Sequence, residues 1–230
     1  MPRVILAVLV VLCLALPARA DLEGGRRAFE RGDYAAAERQ WRALAERGEA
    51  EAQFDMGVLF AHARGLGRDY QRAAEWYRRA ARQGHAQAQF ALGFMYYTGA
   101  GDGAGAVAAD YGQAAVWLMR AAEAGVGMAQ YLIGWMYASG LGLERDPELA
   151  FEWTLRAAKQ GTLGAQYNAG LLHAGVRGGP LDLVEAYKWF LLAARKGYPG
   201  ARQNLDFLGA AMTPGELNQA QSLARAWHPE

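Results

Sequence analysis

The chain repeats one pattern along most of its length. Each copy closes with a glycine, and successive closing glycines are separated by 36, 41, 36 and 36 residues. The closing glycines are Gly48, Gly84, Gly125, Gly161 and Gly197. An alanine stands four residues after each of them, and in four copies another glycine stands nine residues after. A fixed period of this length is typical of a solenoid, in which small supersecondary units stack along one axis.

Each copy is predicted to be a helix, a glycine-rich turn and a second helix. An aspartate stands fifteen residues before each closing glycine, where its side chain can accept the free N–H groups of the second helix. These aspartates are Asp33, Asp69, Asp110, Asp146 and Asp182. A tryptophan stands eight residues before the closing glycine in four copies, at Trp76, Trp117, Trp153 and Trp189. A large apolar residue at one fixed position of every unit is predicted to lie in the core between units.

The most regular segments carry a resemblance to a known family. They read A-Q-F-A-L-G-F-M-Y at 88–96, A-Q-Y-L-I-G-W-M-Y at 129–137 and A-Q-Y-N-A-G-L-L-H at 165–173. They resemble the Sel1-like repeat, a relative of the tetratricopeptide repeat. The resemblance implies an all-α, right-handed superhelical solenoid of helical hairpins that acts as an adaptor for other proteins.

The repeat pattern divides the chain into seven predicted segments. Residues 1–20 are set apart, and 21–48 form a degenerate N-terminal capping unit. The four repeats and the C-terminal unit are predicted at 49–84, 85–125, 126–161, 162–197 and 198–230. The second repeat is longer because of a glycine-rich loop insertion at 99–109, which lacks the residues of a phosphate loop or a calcium loop.

The first twenty residues are predicted to be a signal peptide. Arg3 precedes an apolar run from Val4 to Leu16, and the segment ends in the small-residue pattern Ala18-Arg-Ala20. Cleavage after Ala20 would place the protein in the bacterial periplasm or outside the cell. A retained membrane anchor is the alternative, although the apolar run is short for a bilayer span. The only cysteine, Cys13, lies in this segment, so the exported chain would depend on packing rather than on disulfides.

Charge and residue types disfavour several functions. Removal of Arg3 and Arg19 leaves 22 basic and 23 acidic residues, and a near-neutral chain has no electrostatic footprint for nucleic acid. The four histidines share no metal-ligand spacing, and His173 occupies a repeat position held elsewhere by aromatic rings. No constellation of nucleophile, acid and base emerges, so neither catalysis nor a cofactor is predicted.

A binding surface can be mapped by analogy with the tetratricopeptide repeat, in which the first helix of each hairpin lines the concave face. The mapped positions lie six, ten and thirteen residues after each closing glycine and carry many aromatic side chains. The predicted partner-binding residues are Phe54, Phe90, Phe94, Tyr97, Tyr131, Trp135 and Tyr167. Such a surface suits a protein or peptide partner, and a glycan is also compatible with it. A tightly wound superhelix could instead bury this ladder as core.

Two functional hypotheses follow. The first is an exported, non-catalytic scaffold that binds another protein, by resemblance in envelope signalling, polysaccharide or secretion machinery. The second is a cell-wall protein that binds or hydrolyses peptidoglycan or β-lactams. The resemblance links that second role to repeats that carry cysteines, which the exported chain lacks.

The C-terminal segment is predicted to end the array with a capping helix. Thr213-Pro-Gly-Glu216 matches a capping box with proline at the first helical position. Helical spacing predicts that this helix buries Leu217, Ala220, Leu223 and Trp227.

Overall fold

The computed structural model describes residues 21–62, 68–101, 105–176 and 179–229. The predicted signal peptide and residues 102–104 of the insertion lie outside these residues. The described residues form twelve α-helices. The helices are α1 Leu22–Glu30, α2 Tyr34–Glu46, α3 Ala50–His62, α4 Tyr70–Arg82, α5 Ala86–Thr98, α6 Tyr111–Glu123, α7 Gly127–Ser139, α8 Pro147–Lys159, α9 Leu163–His173, α10 Leu183–Arg195, α11 Ala201–Ala211 and α12 Pro214–Ala226.

Consecutive helices pack as hairpins, and each hairpin packs on the next. The first helices of the units are α1, α3, α5, α7, α9 and α11, and the second helices are α2, α4, α6, α8 and α10. Each second helix contacts the first helix of its own unit and the first helix of the following unit. The fold is therefore the predicted all-α solenoid. The last helix, α12, packs against α10.

The helix ends follow from the recurrent aspartates and glycines. All five aspartates accept a backbone N–H from the first turn of the second helix. Asp146 shows the arrangement most fully, because Pro147 follows it at a position where no N–H is needed. The closing glycines have φ between 76° and 96°, in the left-handed region that other residues rarely adopt.

A recurrent glutamine joins each unit to the one before it. Gln53, Gln89, Gln130 and Gln166 are buried, one in each first helix. Their Nε2 atoms donate to the carbonyl oxygens of Ala45, Ala81, Ala122 and Ala158 at 3.0 to 3.4 Å. Those carbonyls belong to the last turn of the preceding second helix, where no intrahelical N–H is available. Each of these carbonyls also accepts the N–H of the closing glycine that follows it, so the glutamine adds a second hydrogen bond that ties its own unit to the preceding one.

The tryptophan prediction is correct for three of the four positions. Trp117, Trp153 and Trp189 are buried. Trp76 is only half-buried, and the Arg79 guanidinium lies 4.4 Å from the centre of its ring. Trp76 still packs against the core, and equivalent arginines lie 4.9 and 4.5 Å from the ring centres of the buried Trp117 and Trp153.

Of the four residues predicted to be buried in the C-terminal segment, Ala220 is buried and Leu217 and Trp227 are half-buried. Thr213 and Glu216 form the expected capping box. Leu223, however, is exposed, and Ala220 and Ala224 are the buried residues of α12. The prediction was wrong because α12 presents its alanine-bearing side to α10, and close packing of two helices favours small side chains there.

The described ends of the insertion are held against the rest of the chain. Ala100 and Val107 exchange two backbone hydrogen bonds of 2.9 and 2.8 Å. Val107 is buried, and Gly101 lies against the ring of Tyr70 on α4. The base of this loop is therefore packed on the preceding repeat.

Candidate functional site

The predicted binding residues occupy three positions of the repeat: the sixth, the tenth and, for Tyr97 alone, the thirteenth. Position numbers count from the closing glycine of the preceding unit. The sixth-position residues are Phe54, Phe90, Tyr131 and Tyr167, and all four are half-buried. The tenth-position residues form a group, which we call the outer row. The outer row consists of Val58, Phe94, Trp135, Leu171 and Phe207.

Three of the four sixth-position residues contact the next first helix or the residues just before it, whereas Phe90 stacks on Phe94 of its own helix. Phe54 stacks on His85 with ring centres 4.7 Å apart, and Tyr167 stacks on Tyr198 at 4.5 Å. The hydroxyl oxygens of Tyr131 and Tyr167 each accept a hydrogen bond from the asparagine of the next first helix, at 3.4 and 3.2 Å. These side chains therefore help to hold successive first helices together and have only part of their surface free.

The outer row carries three exposed aromatic side chains. Phe94 is 43% exposed, Trp135 is 36% exposed and Phe207 is 77% exposed. Val58 and Leu171 are half-buried. Because these residues occupy equivalent positions on successive first helices, they lie on one side of the array. Exposed apolar surfaces of this kind mark interaction sites more often than isolated apolar residues do.

Sequence reasoning missed Phe207. The residue stands 36 positions after Leu171, so the repeat spacing was sufficient to find it. The last unit carries Asp206 where the earlier units carry glycine, so its repeat pattern is weaker.

Tyr97 fills the gap between two first helices. It lies at position thirteen of the second repeat, and its ring packs edge-on against Tyr111 at 5.7 Å. Its hydroxyl is hydrogen-bonded to Trp135 of the next repeat. An indole nitrogen can only donate, so the tyrosine oxygen is the acceptor. Burial raises the pKa of Tyr97 above its usual value, and the phenol stays neutral.

The next gap along the array is open. The equivalent position in the third repeat is Ala138, and a cleft of about 700 Å³ lies beside it, between α7, α8 and α9. Its apolar wall includes Trp135 and Leu171 of the outer row. Polar side chains at the cleft are those of Ser139, Arg145, Glu148, Thr154 and Asn168. The volume is in the range of ordinary ligand pockets.

A charged network links the first three units. Arg26 of α1 donates through Nε to Asp55 at 3.1 Å and also bonds Glu51, both on α3. Glu51 accepts from His85 Nε2 at 2.9 Å, while His85 Nδ1 accepts the Ala88 N–H at the start of α5. Each of these groups is satisfied by a neighbouring helix, so the network serves to join units.

The carboxyl groups of this network are shifted in opposite directions. The hydrogen bond from His85, assisted by Arg26, lowers the pKa of Glu51. Burial raises the pKa of Asp55 to about 6, against the opposing attraction of Arg26. Proximity to a cation is thus insufficient to offset the removal of the Asp55 carboxylate from water.

A buried histidine, His173, lies at the end of α9. Its ring packs edge-on against Phe151 at 5.4 Å, and burial lowers its pKa. Within the described ranges, no cluster of three or more histidine, cysteine or acidic side chains is placed to hold a metal ion. Among the helices of those same ranges, none is both long enough and apolar enough to cross a bilayer.

These features define an α-helical repeat solenoid with an extended exposed face, a class of protein whose surface is suited to binding other chains. The chain belongs to the Sel1 repeat family. The family profile, described as the Sel1 repeat, matches residues 50–85, 86–126, 127–162 and 164–198. Sel1 repeat proteins are generally scaffolds for protein–protein interaction.

Solved structures of other Sel1-type proteins have the same architecture. A Sel1 repeat protein from Oxalobacter formigenes is 26% identical, with a TM-score of 0.75 over 89% of this chain and 85% of that one. A protective antigen of uropathogenic Escherichia coli strains, described as having an SLR fold, is 28% identical, with a TM-score of 0.72 over 84% of this chain. The chain spans only 40% of the length of that antigen. No curated protein matches the chain.

Proposed function

We propose that the chain is an exported, non-catalytic scaffold that binds another protein through the outer row of its first helices. The observation that carries the proposal is the exposure of Phe94, Trp135 and Phe207 at one repeat position. Aromatic side chains supply large contact areas at low entropic cost, and they are enriched among residues that dominate binding energy. The half-buried sixth-position rings hold the helices that present them.

Export is supported by the pattern of residues 1–20 and by the local structure that follows. Helix α1 begins at Leu22, and the Asp21 side chain accepts the N–H groups of Glu23 and Gly24. Cleavage after Ala20 would therefore leave the first helix and its cap intact. Mass spectrometry of the protein recovered from a bacterial periplasm is expected to give Asp21 as the first residue. Recovery of a chain that still begins at Met1 would contradict this part of the proposal.

A scaffold role agrees better with the chemistry of the carboxylates than a hydrolase role does. The recurrent aspartates hold the N-termini of second helices, and Glu51 and Asp55 bond Arg26. A cell-wall hydrolase would need a carboxylate or nucleophile aimed at substrate. We therefore propose binding without catalysis, in an envelope signalling, polysaccharide or secretion assembly.

The direct test compares partner capture by the wild-type protein and the double variant Phe94→Ala, Trp135→Ala. The immobilised proteins are exposed to envelope extract, and retained chains are identified by mass spectrometry. Val116→Ala is the matched control, because Val116 is 46% exposed but lies on α6, a second helix. The proposal predicts a protein retained by the wild type and the control and lost by the double variant.

Folding of the variants is checked by circular dichroism melting. Trp135→Ala also removes the hydrogen bond to Tyr97, so a small decrease in melting temperature is expected. Equal capture by a folded double variant would move the interface away from the outer row. Unfolding of the double variant would instead assign these two residues to the core.

A further inference from the structure

The cleft beside Ala138 lies where the third repeat lacks a side chain that the second repeat has. Tyr97 and Ala138 both stand thirteen residues after a closing glycine. In the second repeat the tyrosine ring occupies the space between α5 and α7 and accepts a hydrogen bond from Trp135. In the third repeat the corresponding space, between α7 and α9, is the cleft of about 700 Å³.

Small residues give the cleft its depth. Gly134, Ala138 and Ala150 line it, so no long side chain enters it from α7 or from the start of α8. Trp135 and Leu171 stand on either side and supply apolar walls. The cleft thus lies between an indole and a leucine side chain. A tyrosine ring fills the equivalent space one repeat earlier, so an aromatic ring suits this cleft.

The polar groups at the cleft suit a polypeptide that carries a negative charge. Asn168 donates one N–H to Tyr131 and retains a second donor and its carbonyl oxygen, which are the groups needed to bond a peptide backbone. Arg145 and Glu148 are exposed, and within the described part of the chain neither forms an ion pair. Glu148 lies in the first turn of α8, where the helix dipole complements its charge. Arg145 has no such compensation.

We propose that this cleft binds a segment of a partner polypeptide by accepting one aromatic side chain, with an adjacent acidic residue directed to Arg145. The inference rests on the proposed scaffold function and adds the chemistry of the bound segment. The partner's ring takes the place that Tyr97 occupies in the second repeat. The outer row on both sides then contacts the rest of the segment.

The test measures binding of capped, fluorescein-labelled hexapeptides to the purified protein by fluorescence polarisation. The reference peptide contains one phenylalanine followed by one aspartate among glycines and serines. Replacing its phenylalanine with alanine is expected to weaken binding by at least about ten-fold, from the loss of one buried ring. Replacing its aspartate with lysine is expected to weaken binding by about three-fold or more, the effect of one exposed ion pair.

Two variants of the protein test the location. Ala138→Tyr restores the side chain present in the second repeat and is expected to abolish binding of the reference peptide without lowering the unfolding temperature. Ala43→Tyr is its control, because Ala43 is exposed on α2, far along the chain from the cleft. Arg145→Gln is expected to remove the preference for aspartate over lysine while leaving the requirement for phenylalanine.

The outcomes separate this inference from the proposed function. Equal binding of the phenylalanine and alanine peptides, equal binding to wild type and a folded Ala138→Tyr protein, or no binding at millimolar peptide would each overturn the cleft assignment. A saccharide ligand would also overturn the assignment. The sign would be that a trimer of N-acetylglucosamine binds the wild-type protein, that Ala138→Tyr abolishes this binding, and that the peptides do not bind. Peptide binding can hold even if Phe94→Ala, at a position outside the cleft, leaves partner capture unchanged, in which case only the outer-row proposal fails.

Discussion

Replacement of Gly93 by alanine is expected to destabilise the protein, although alanine is the better helix former. Gly93 lies within α5 and is buried against α6. A Cβ atom built there would stand 2.9 Å from the backbone nitrogen of Leu118 and 2.8 Å from its Cγ. Ordinary contacts of a Cβ atom begin near 3.4 Å, so the two helices would have to separate by several tenths of an ångström.

The size of the effect follows from two opposing terms. Alanine in place of glycine within a helix stabilises by about 1 kcal/mol. Overpacking of a core costs about 1–3 kcal/mol, and the upper part of that range applies because the contacted atom belongs to the backbone and cannot rotate away. The net expectation is a loss of about 1–2 kcal/mol in the free energy of unfolding.

The matched control is Gly209→Ala in α11. A Cβ atom at Gly209 would meet only the Tyr187 ring at 3.8 Å, an ordinary contact. This variant is expected to gain up to about 1 kcal/mol from helix propensity alone. Urea unfolding followed by circular dichroism measures both changes, with coincidence of far-UV signal and fluorescence as the check of two-state behaviour. A neutral or stabilised Gly93→Ala protein would refute the close-approach argument.

Three further predictions concern pH, helix capping and the tryptophans. Because burial raises the pKa of Asp55 to about 6, the folded state keeps a proton between pH 4 and 6 that the unfolded state has lost. Stability of the wild type should therefore fall relative to Asp55→Asn as the pH rises through this window, by at most about 3 kcal/mol, and urea unfolding at pH 4 and 7 measures the difference. Asp146→Ala should cost about 1 kcal/mol in the same assay, from the loss of the cap on α8. Trp153→Ala, at a buried position, should cost about 3–5 kcal/mol and clearly more than Trp135→Ala; equal losses would contradict the division between core and exposed rings.

The features that could be predicted from sequence depend on local chemistry. An aspartate before a helix and a glycine after it act on backbone groups within a few residues, so Asp146 and Gly161 could be assigned from the pattern alone. The buried position of most of the repeat tryptophans was predictable for a related reason. A residue type retained at one position of every unit meets the same neighbour in every unit.

The features that could not be predicted from the sequence depend on which helices pack against each other in the folded chain. The burial of α12 is set by its packing on α10, so Leu223 was assigned to the core from spacing although Ala224 is the residue that faces α10. The cleft arises because the third repeat has Ala138 where the second repeat has Tyr97. The sequence shows this difference, but it does not show that position thirteen faces the gap between first helices. The split of the aromatic ladder into half-buried sixth positions and more exposed tenth positions has the same origin.

Site-specific photocrosslinking in cells tests the central claim most directly. A photoreactive phenylalanine analogue is placed in turn at Phe94, Trp135 and Phe207 of the outer row, and at Val116 on the other helix layer as the control. The account predicts that the outer-row positions give the same crosslinked partner and that Val116 does not. Adducts from Val116, with none from the three outer-row positions, would contradict the assignment of the first helices as the binding surface.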